Sequence, residues 1–329
     1  MLFRSLHLRR WYLVTGGYDP EVGARLHVRP RDPLADESPA AVTAPPRGAL
    51  LAGAPSLRLG GNLDGKLDSP AVYDRLVSGE EPGPRARWDL ARDIPGDRIV
   101  DVIDGHDGTL HNLPTRGVTG HDWTGDELDW RHAKQGYGAV HFHSDDLEDA
   151  GWESVLTVDL PDNLASGCYA VELSTQEGVD RMPFFVRARE RADMALLVPT
   201  LSYLAYALDH LLQPFMPEDP GEVAARFARD NTIHSLYDRH VDGSGVCLAS
   251  LRRPLLGMRD DHVFRYHRGP HQYSEDVQLV GWLERQGFRF DVLTDHDLHA
   301  DGPDAIASYR TILTGRDRKS TRLNSSHER

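Results

Sequence analysis

The sequence is poor in cysteine. Its two, Cys168 and Cys247, stand far apart in 329 residues, which excludes a disulfide framework and a cysteine-rich zinc site. Long apolar runs are missing too. A membrane helix needs about 18–20 consecutive apolar residues; the best stretch, around Met194–Leu208, is broken by Pro199, Thr200 and Ser202. The N-terminal MLFRSLHLRRWYLVTGG has no unbroken apolar core and no small-residue cleavage site, so no signal peptide is read there. Positive charge is in deficit: 37 Lys and Arg against 51 Asp and Glu give a net charge of −14. That removes the general electrostatic case for nucleic acid or an anionic membrane. The esterase pattern GxSxG, the P-loop and GxGxxG do not occur. Cys247 follows a DGSG turn with no elbow pattern around it, so a nucleophilic cysteine is not expected. What is present is an ordinary globular composition, 40% hydrophobic and 27% charged. The length suits two or three domains, and the expected location is the cytoplasm.

Residues 1–125 read as all-β. Alternating runs recur at Trp11–Val14, Ala24–Val28, Ser56–Leu59, Arg98–Ile103 and Gly108–Asn112, separated by pairs such as Gly16-Gly17 and Asp64-Gly65. Arg29–Arg47, rich in Pro and Ala, reads as a loop, and Ala71–Glu81 as a short helical connection. The string GKLDSPAVYDRLVSGEE…ARWDL resembles the concanavalin-like, laminin-G-type sandwich, a likeness of fold that says little about function. Residues 126–190 continue in β with an immunoglobulin-like look: Tyr137–His143, Ser154–Leu160, Cys168–Ser174 and Met182–Val186.

From residue 191 the period changes. Met194–Val198 is a short apolar run closed by a proline, as a strand buried on both faces would be. Ser202–Leu212 reads as a helix capped by Thr200 or Ser202, which sets Tyr203 and Tyr206 one turn apart on one face. Gly221–Asp230 is helical, with Ala, Val and Phe on one face, and Ser235–Tyr273 is long and irregular. A second clear helix spans Ser274–Gln286, capped by Ser274 and ended by Gly287. Phe288–Leu293, Pro303–Ala307 and Tyr309–Leu313 follow as strand, helix and strand. Strands alternating with helices predict a parallel sheet, with strand tips at Pro199, Asp295 and Gly315 on one edge, where ligands bind in open α/β sheets. Arg316–Arg329, RDRKSTRLNSSHER, has no periodicity and resembles a translated sequencing-adaptor tail. It is read as non-native, which makes 191–315 an incomplete α/β domain.

Four groups of residues could carry chemistry. A phenol has an unperturbed pKa near 10 and ligates only beside a strong cation, such as a hard trivalent metal. Tyr203, Tyr206 and Tyr237 could converge on such an ion; tyrosines beside a sheet are more often packing. Asp238, His240 and Asp242 in SLYDRHVDGSG could orient a base or ligand, against the plainer reading of a structured loop whose Asp242-Gly243-Ser244-Gly245 is turn chemistry. DHDLHAD, Asp295–Asp301, could hold a divalent metal, or could be a β–α loop whose aspartates cap the next helix. His141 and His143 face one side of a strand with Asp145, Asp146 and Glu148 nearby; a solvated acidic strand end is the plainer reading.

From about Gly61 to Gly315, the phrases LPTRGVTGHDWTG, YGAVHFHSDDLEDAGWES, SGCYAVELS…MPFFVRA, LVPTLSYLAYA, SLYDRHVDGSG and GFRFDVLTDHDLH…YRTILTG resemble the large (β) subunit of N,N-dimethylformamidase and its relatives. The resemblance implies a glutamine-amidotransferase-like α/β domain that does not use that fold's usual cysteine. It implies a mononuclear non-haem Fe(III) held by two tyrosines and a glutamate, and hydrolysis of a small amide by metal-activated water. Tyr206 of SYLAYA and Tyr237 of SLYD match the two tyrosines, with Tyr203 the alternative to the first. The glutamate belongs to a His-Pro-Glu-Tyr-like phrase after the third strand's Thr-Gly. Here Thr314-Gly315 runs into Arg316-Asp317-Arg318 instead, so the chain as given is expected to be inactive. The resemblance further implies a small helical partner subunit and further homo-oligomeric assembly. The competing reading is a carbohydrate- or protein-binding β-sandwich module with a vestigial α/β domain. A third is an amidohydrolase with zinc or manganese at Asp295–His299.

Overall fold

The structure, a computed structural model, describes residues 6–32, 38–48, 56–208, 223–264 and 266–315. Arg316–Arg329 and the second half of the helix expected over Ser202–Leu212 lie outside the described residues. The chain parts into two compact units, Met1–Ser144 and Asp145–Arg329.

The first unit is β-rich. β1 (Tyr12–Asp19), β2 (Gly23–Pro30) and β3 (Ala40–Ala44) form an antiparallel sheet in that order, Tyr12 pairing with Pro30 and Asp19 with Gly23. The stretch Arg29–Arg47, expected as a loop, therefore contains a strand; its alanines carry too little apolar contrast to show one. β4 (Gly65–Asp68) is followed by β5 (Ala71–Val72), β6 (Ala86–Asp89), β7 (Arg98–Asp101) and β8 (Gly108–Thr109), the last four making one antiparallel sheet in sequence order. β9 (Thr115–Val118) and β10 (Ala139–Phe142) join β4 in the order β4-β10-β9. A small core of Leu90, Ile99 and Val140 is backed by Trp88, Leu110 and Phe142.

Two expectations for this unit fail for local reasons. Ala71–Glu81 is not helical. Beyond β5 it is a closed loop: the Tyr73 hydroxyl donates to the Glu81 carbonyl at 2.7 Å, and Arg75 Nη2 donates to the Pro82 carbonyl at 2.6 Å. Side chains thus satisfy the backbone that a helix would satisfy itself. Ser56–Leu59 alternates but forms no strand. In LPTRGVTGH the chief device is Arg116. Its Nη1 donates to the carbonyls of Asp93, Gly96 and Arg98 and its Nη2 to those of Leu90 and Arg92, at 2.7–3.2 Å. One guanidinium fork thereby gathers the loop between β6 and β7.

In the second unit, Ser154–Leu160 alternates in sequence yet is exposed and unpaired as a strand. β11 (Gly167–Ser174) and β12 (Val179–Val186) then form an eight-residue hairpin ladder. β13 (Met194–Val198) is followed by α1 (Thr200–Ala205), α2 (Val223–Asp230), the two-residue strands β14 (Val263–Phe264) and β15 (Gly269–Pro270), and α3 (Tyr273–Arg285). β16 (Phe290–Thr294), α4 (Asp295–Asp301), α5 (Asp304–Ala307) and β17 (Thr311–Thr314) complete it. The sheet is parallel, as expected, in the order β16-β13-β17.

β13 is buried on both faces. Leu196 and Val198 pack with Tyr203, Tyr273, Val280 and Val292 on the α3 side. Ala195 and Leu197 pack with Leu293, Leu298 and Ile306 on the side of α4 and α5. This is the arrangement that a continuous apolar run predicts. Three details differ. Gln272, not Ser274, precedes α3 as its cap residue, and the Ser274 hydroxyl instead donates to the His262 carbonyl at 2.8 Å. In α2, Ala228 is buried but Phe227 is exposed. Asp295–Asp301 is itself the helix. Thr294 caps it, accepting from Asp297 N, while the Asp297 carboxylate accepts from Thr294 N, a reciprocal pair of the capping-box kind.

Candidate metal centre

β13 delivers the chain through Pro199 into α1, which ends early. Pro199 is the residue before the helix and no side chain caps it; the Thr200 hydroxyl, an expected cap, is engaged with His296 Nδ1 at 2.8 Å. Ala205 is the last helical residue, and Tyr206 turns out of the helix at φ −104°, ψ 8°. Gly257 closes over this point. Its N–H donates to the Ala207 carbonyl at 2.6 Å, and a side chain there would press on the carbonyl oxygens of Tyr206 and Ala207.

That early end separates the two tyrosines expected on one face. Tyr203, 1% exposed, turns into the core, where its hydroxyl donates to Asp276 Oδ2 at 2.6 Å. Its ring meets Tyr273 edge-on at 5.7 Å. Burial first, and the Asp276 charge second, push its phenol far above the usual range. Tyr206 turns the other way and meets Tyr237. The two hydroxyls are 2.7 Å apart and the ring centroids 4.9 Å. His271, stacked on Phe264 at 4.3 Å, lies edge-on to the Tyr206 ring at 4.9 Å.

Tyr237 is presented by a tightly built segment. Ser235 N donates to Asp238 Oδ2 at 2.6 Å and Tyr237 N to Ser235 Oγ at 3.1 Å, two side-chain turns around one tyrosine. Beyond it, Gly243 N donates to the His240 carbonyl and Ser244 N to Asp242 Oδ1, and Gly243 has φ +84°, where glycine is favoured. The expected turn chemistry is therefore present. Asp238 and Asp242 accept from backbone N–H groups within the loop, and His240 Nδ1 lies 2.7 Å from Asp145 Oδ1. Arg253, 6% exposed, donates through Nη1 to the His234 carbonyl. Its Nε and Nη2 find no acceptor among the described residues, and burial lowers its pKa to about 10, with the Asp238 charge opposing.

The other expected groups resolve differently. His141 and His143 pack ring to ring at 4.2 Å in the first unit, as a two-residue spacing predicts. Asp145 belongs to the second unit and takes His234 and His240. In DHDLHAD, burial lowers the pKa of His296, and no grouping of three potential ligand atoms among the described residues includes Asp295–His299. Cys168 is chemically quiet, its thiol pushed up to about 12 by burial and then by the charges of Glu284 and Asp276. The sequence pattern did not point to His271, Arg253 or Asp276, which come from remote segments. His234 directly precedes SLYD and carried the one local hint.

A family model described as "N,N-dimethylformamidase beta subunit-like, C-terminal" matches residues 115–316. An N,N-dimethylformamidase beta subunit from Paracoccus aminophilus is 37% identical over 289 residues, covering 77% of this chain and 37% of the relative. One from an Alcaligenes species is 32% identical over 372 aligned positions, covering 95% of this chain and 48% of the relative. The chain therefore spans less than half the length of these curated relatives. Together with the ordered motifs and the parallel sheet, the match over residues 115–316 places the chain in the N,N-dimethylformamidase beta subunit-like family.

Proposed function

We propose that this chain is part of the large subunit of an iron-dependent amidohydrolase that cleaves small N-substituted formamides, such as N,N-dimethylformamide, to an amine and formate. Tyr206 and Tyr237 are read as two ligands of a mononuclear non-haem Fe(III). The observation that carries the reading is the 2.7 Å separation of their hydroxyls, between segments that lie 31 residues apart. The donor set fits: two hard phenol oxygens already stand in contact, so one hard cation can take both without drawing the rings together. Tyr203 does not fit, because its hydroxyl is committed to Asp276 in the core.

When bound, ferric iron supplies Lewis acidity, polarising the amide carbonyl or lowering the pKa of a water. The chain's own residues do the rest. The two phenols would hold the ion as phenolates. The edge contact of His271 and its stack on Phe264 hold the Tyr206 ring and supply the aromatic wall that a small dialkyl amide with few polar handles needs. The three-stranded parallel sheet, with helices on both faces, supports a glutamine-amidotransferase-like domain, and the antiparallel sheets of the first unit support a sandwich. The relatives are named beta subunits, which supports a partner subunit; a small helical one with further homo-oligomeric assembly is the form proposed. No residue of this sequence is assigned as the carboxylate ligand.

The test is the visible spectrum after Fe(III) loading of the protein expressed at the length of its relatives. A tyrosinate-to-iron charge-transfer band that is lost in both Tyr206→Phe and Tyr237→Phe, together with release of dimethylamine from N,N-dimethylformamide, is expected. The 329-residue chain itself should release none. A colourless, iron-free protein would overturn the site and favour the binding-module reading, to be followed with glycans.

A further inference from the structure

Tyr237 stands midway between two histidines, His234 before it and His240 after it. Both rings lie on one carboxylate. His234 Nε2 is 2.8 Å from Asp145 Oδ2, and His240 Nδ1 is 2.7 Å from Asp145 Oδ1. Val241 N also donates to Oδ2, at 3.3 Å. The Asp145 side chain is 2% exposed. One buried carboxylate, some ninety residues away in sequence, thus grips both ends of the segment that carries Tyr237.

Tyr237 needs such a grip. It is 47% exposed, so burial of its own ring does not fix it. The Ser235–Asp238 turn sets its local backbone but does not say where that turn stands relative to α1. Asp145 adds a hold from outside the segment, because the histidines it grips bracket the turn. Arg253, donating to the His234 carbonyl, braces the same end. The charged carboxylate also makes the stronger class of hydrogen bond, out of reach of competing water.

We infer that Asp145 is a positioning residue for the tyrosine pair: through His234 and His240 it sets the Tyr237 hydroxyl against that of Tyr206. The inference rests on the reading of Tyr206 and Tyr237 as a ligand pair. Groups that orient ligands from outside typically matter about 10- to 100-fold for metal affinity. Asp145, His234 and His240 also have the make-up of a divalent-ion site, but the carboxylate's oxygens already accept from both rings and from Val241.

The test has two arms. In the metal-free 329-residue chain, amide hydrogen exchange is followed by mass spectrometry in Asp145→Ala beside the parent. Exchange over 234–241 should accelerate by about tenfold or more, as for local opening, while 194–198 and 290–294 keep their protection. Acceleration everywhere would reduce Asp145 to a general structural role and overturn the proposal, as would no change. In the iron-loaded protein at the length of its relatives, Asp145→Ala should weaken Fe(III) binding about 10- to 100-fold and move the charge-transfer band. His240→Asn, which keeps an N–H donor near the place of Nδ1, should restore most of the affinity that His240→Ala loses. A band and affinity untouched by Asp145→Ala would sink the proposal. A parent without any band would defeat the ligand-pair reading instead, and the exchange arm would still decide whether Asp145 holds the segment. Stoichiometric zinc binding that Asp145→Ala abolishes would replace the clamp with an ion site.

Discussion

Tyr203 lies inside α1 and Tyr206 just past its end, and the two side chains part company. Spacing alone leaves both facing one side, and only the end of α1 at Ala205 sends them apart. Tyr203→Phe removes the donor at 2.6 Å from a buried carboxylate, so it should cost about 1–3 kcal/mol in urea unfolding and leave any iron colour unchanged. Colour lost in Tyr203→Phe and kept in Tyr206→Phe would reverse the assignment. The cysteines give a second check at this scale. Cys247 is exposed and Cys168 is shielded, its thiol raised to about 12. A neutral-pH disulfide reagent should therefore titrate one thiol of the two in the native protein and both after unfolding.

At the scale of elements, alternation and capping carry unequal information. The apolar run of β13 could only be satisfied by cover on both faces, so its parallel sheet was legible. Ser154–Leu160 alternates as well as any strand, yet finds no partner among the described residues; a period shows which residues suit a strand, and pairing needs a neighbour. Asp295–Asp301 resembles a loop in sequence because its aspartates look like caps. The true cap is Thr294 with Asp297, so Thr294→Ala should lower stability by about 1 kcal/mol. In the first unit, Arg116→Ala would take a donor from five carbonyls at once, of which that of Asp93 keeps the Gly96 N–H. We expect a loss of about 2–4 kcal/mol, read as a lower midpoint for the first unit.

For the whole molecule, the Asp145 clamp ties stability to pH. Burial alone would raise its carboxyl, but hydrogen bonds from His240 and His234 outweigh burial and hold it below the usual range. A depressed carboxylate contributes in full above its unfolded value, near pH 4, and its contribution fades as pH falls from there through the lower folded value. The stability gap between the parent and Asp145→Asn should thus be open at pH 7 and narrow below pH 4. A gap that widens on acidification would contradict the assignment.

The sequence by itself determined the change from β-rich first half to parallel α/β second half, the absence of a cysteine-rich site, and the family. Each of these follows from local period, from composition or from ordered motifs, all written along the chain. Only the tertiary structure decided that Tyr203 turns into the core while Tyr206 meets Tyr237, that Arg116 is a staple, and that Asp145 meets both His234 and His240. Those depend on where helices end and on which distant segments share a buried space. A carboxylate shows no preference in sequence for the histidines it will meet; desolvation selects them, because burying that charge is tolerable only with donors on both oxygens.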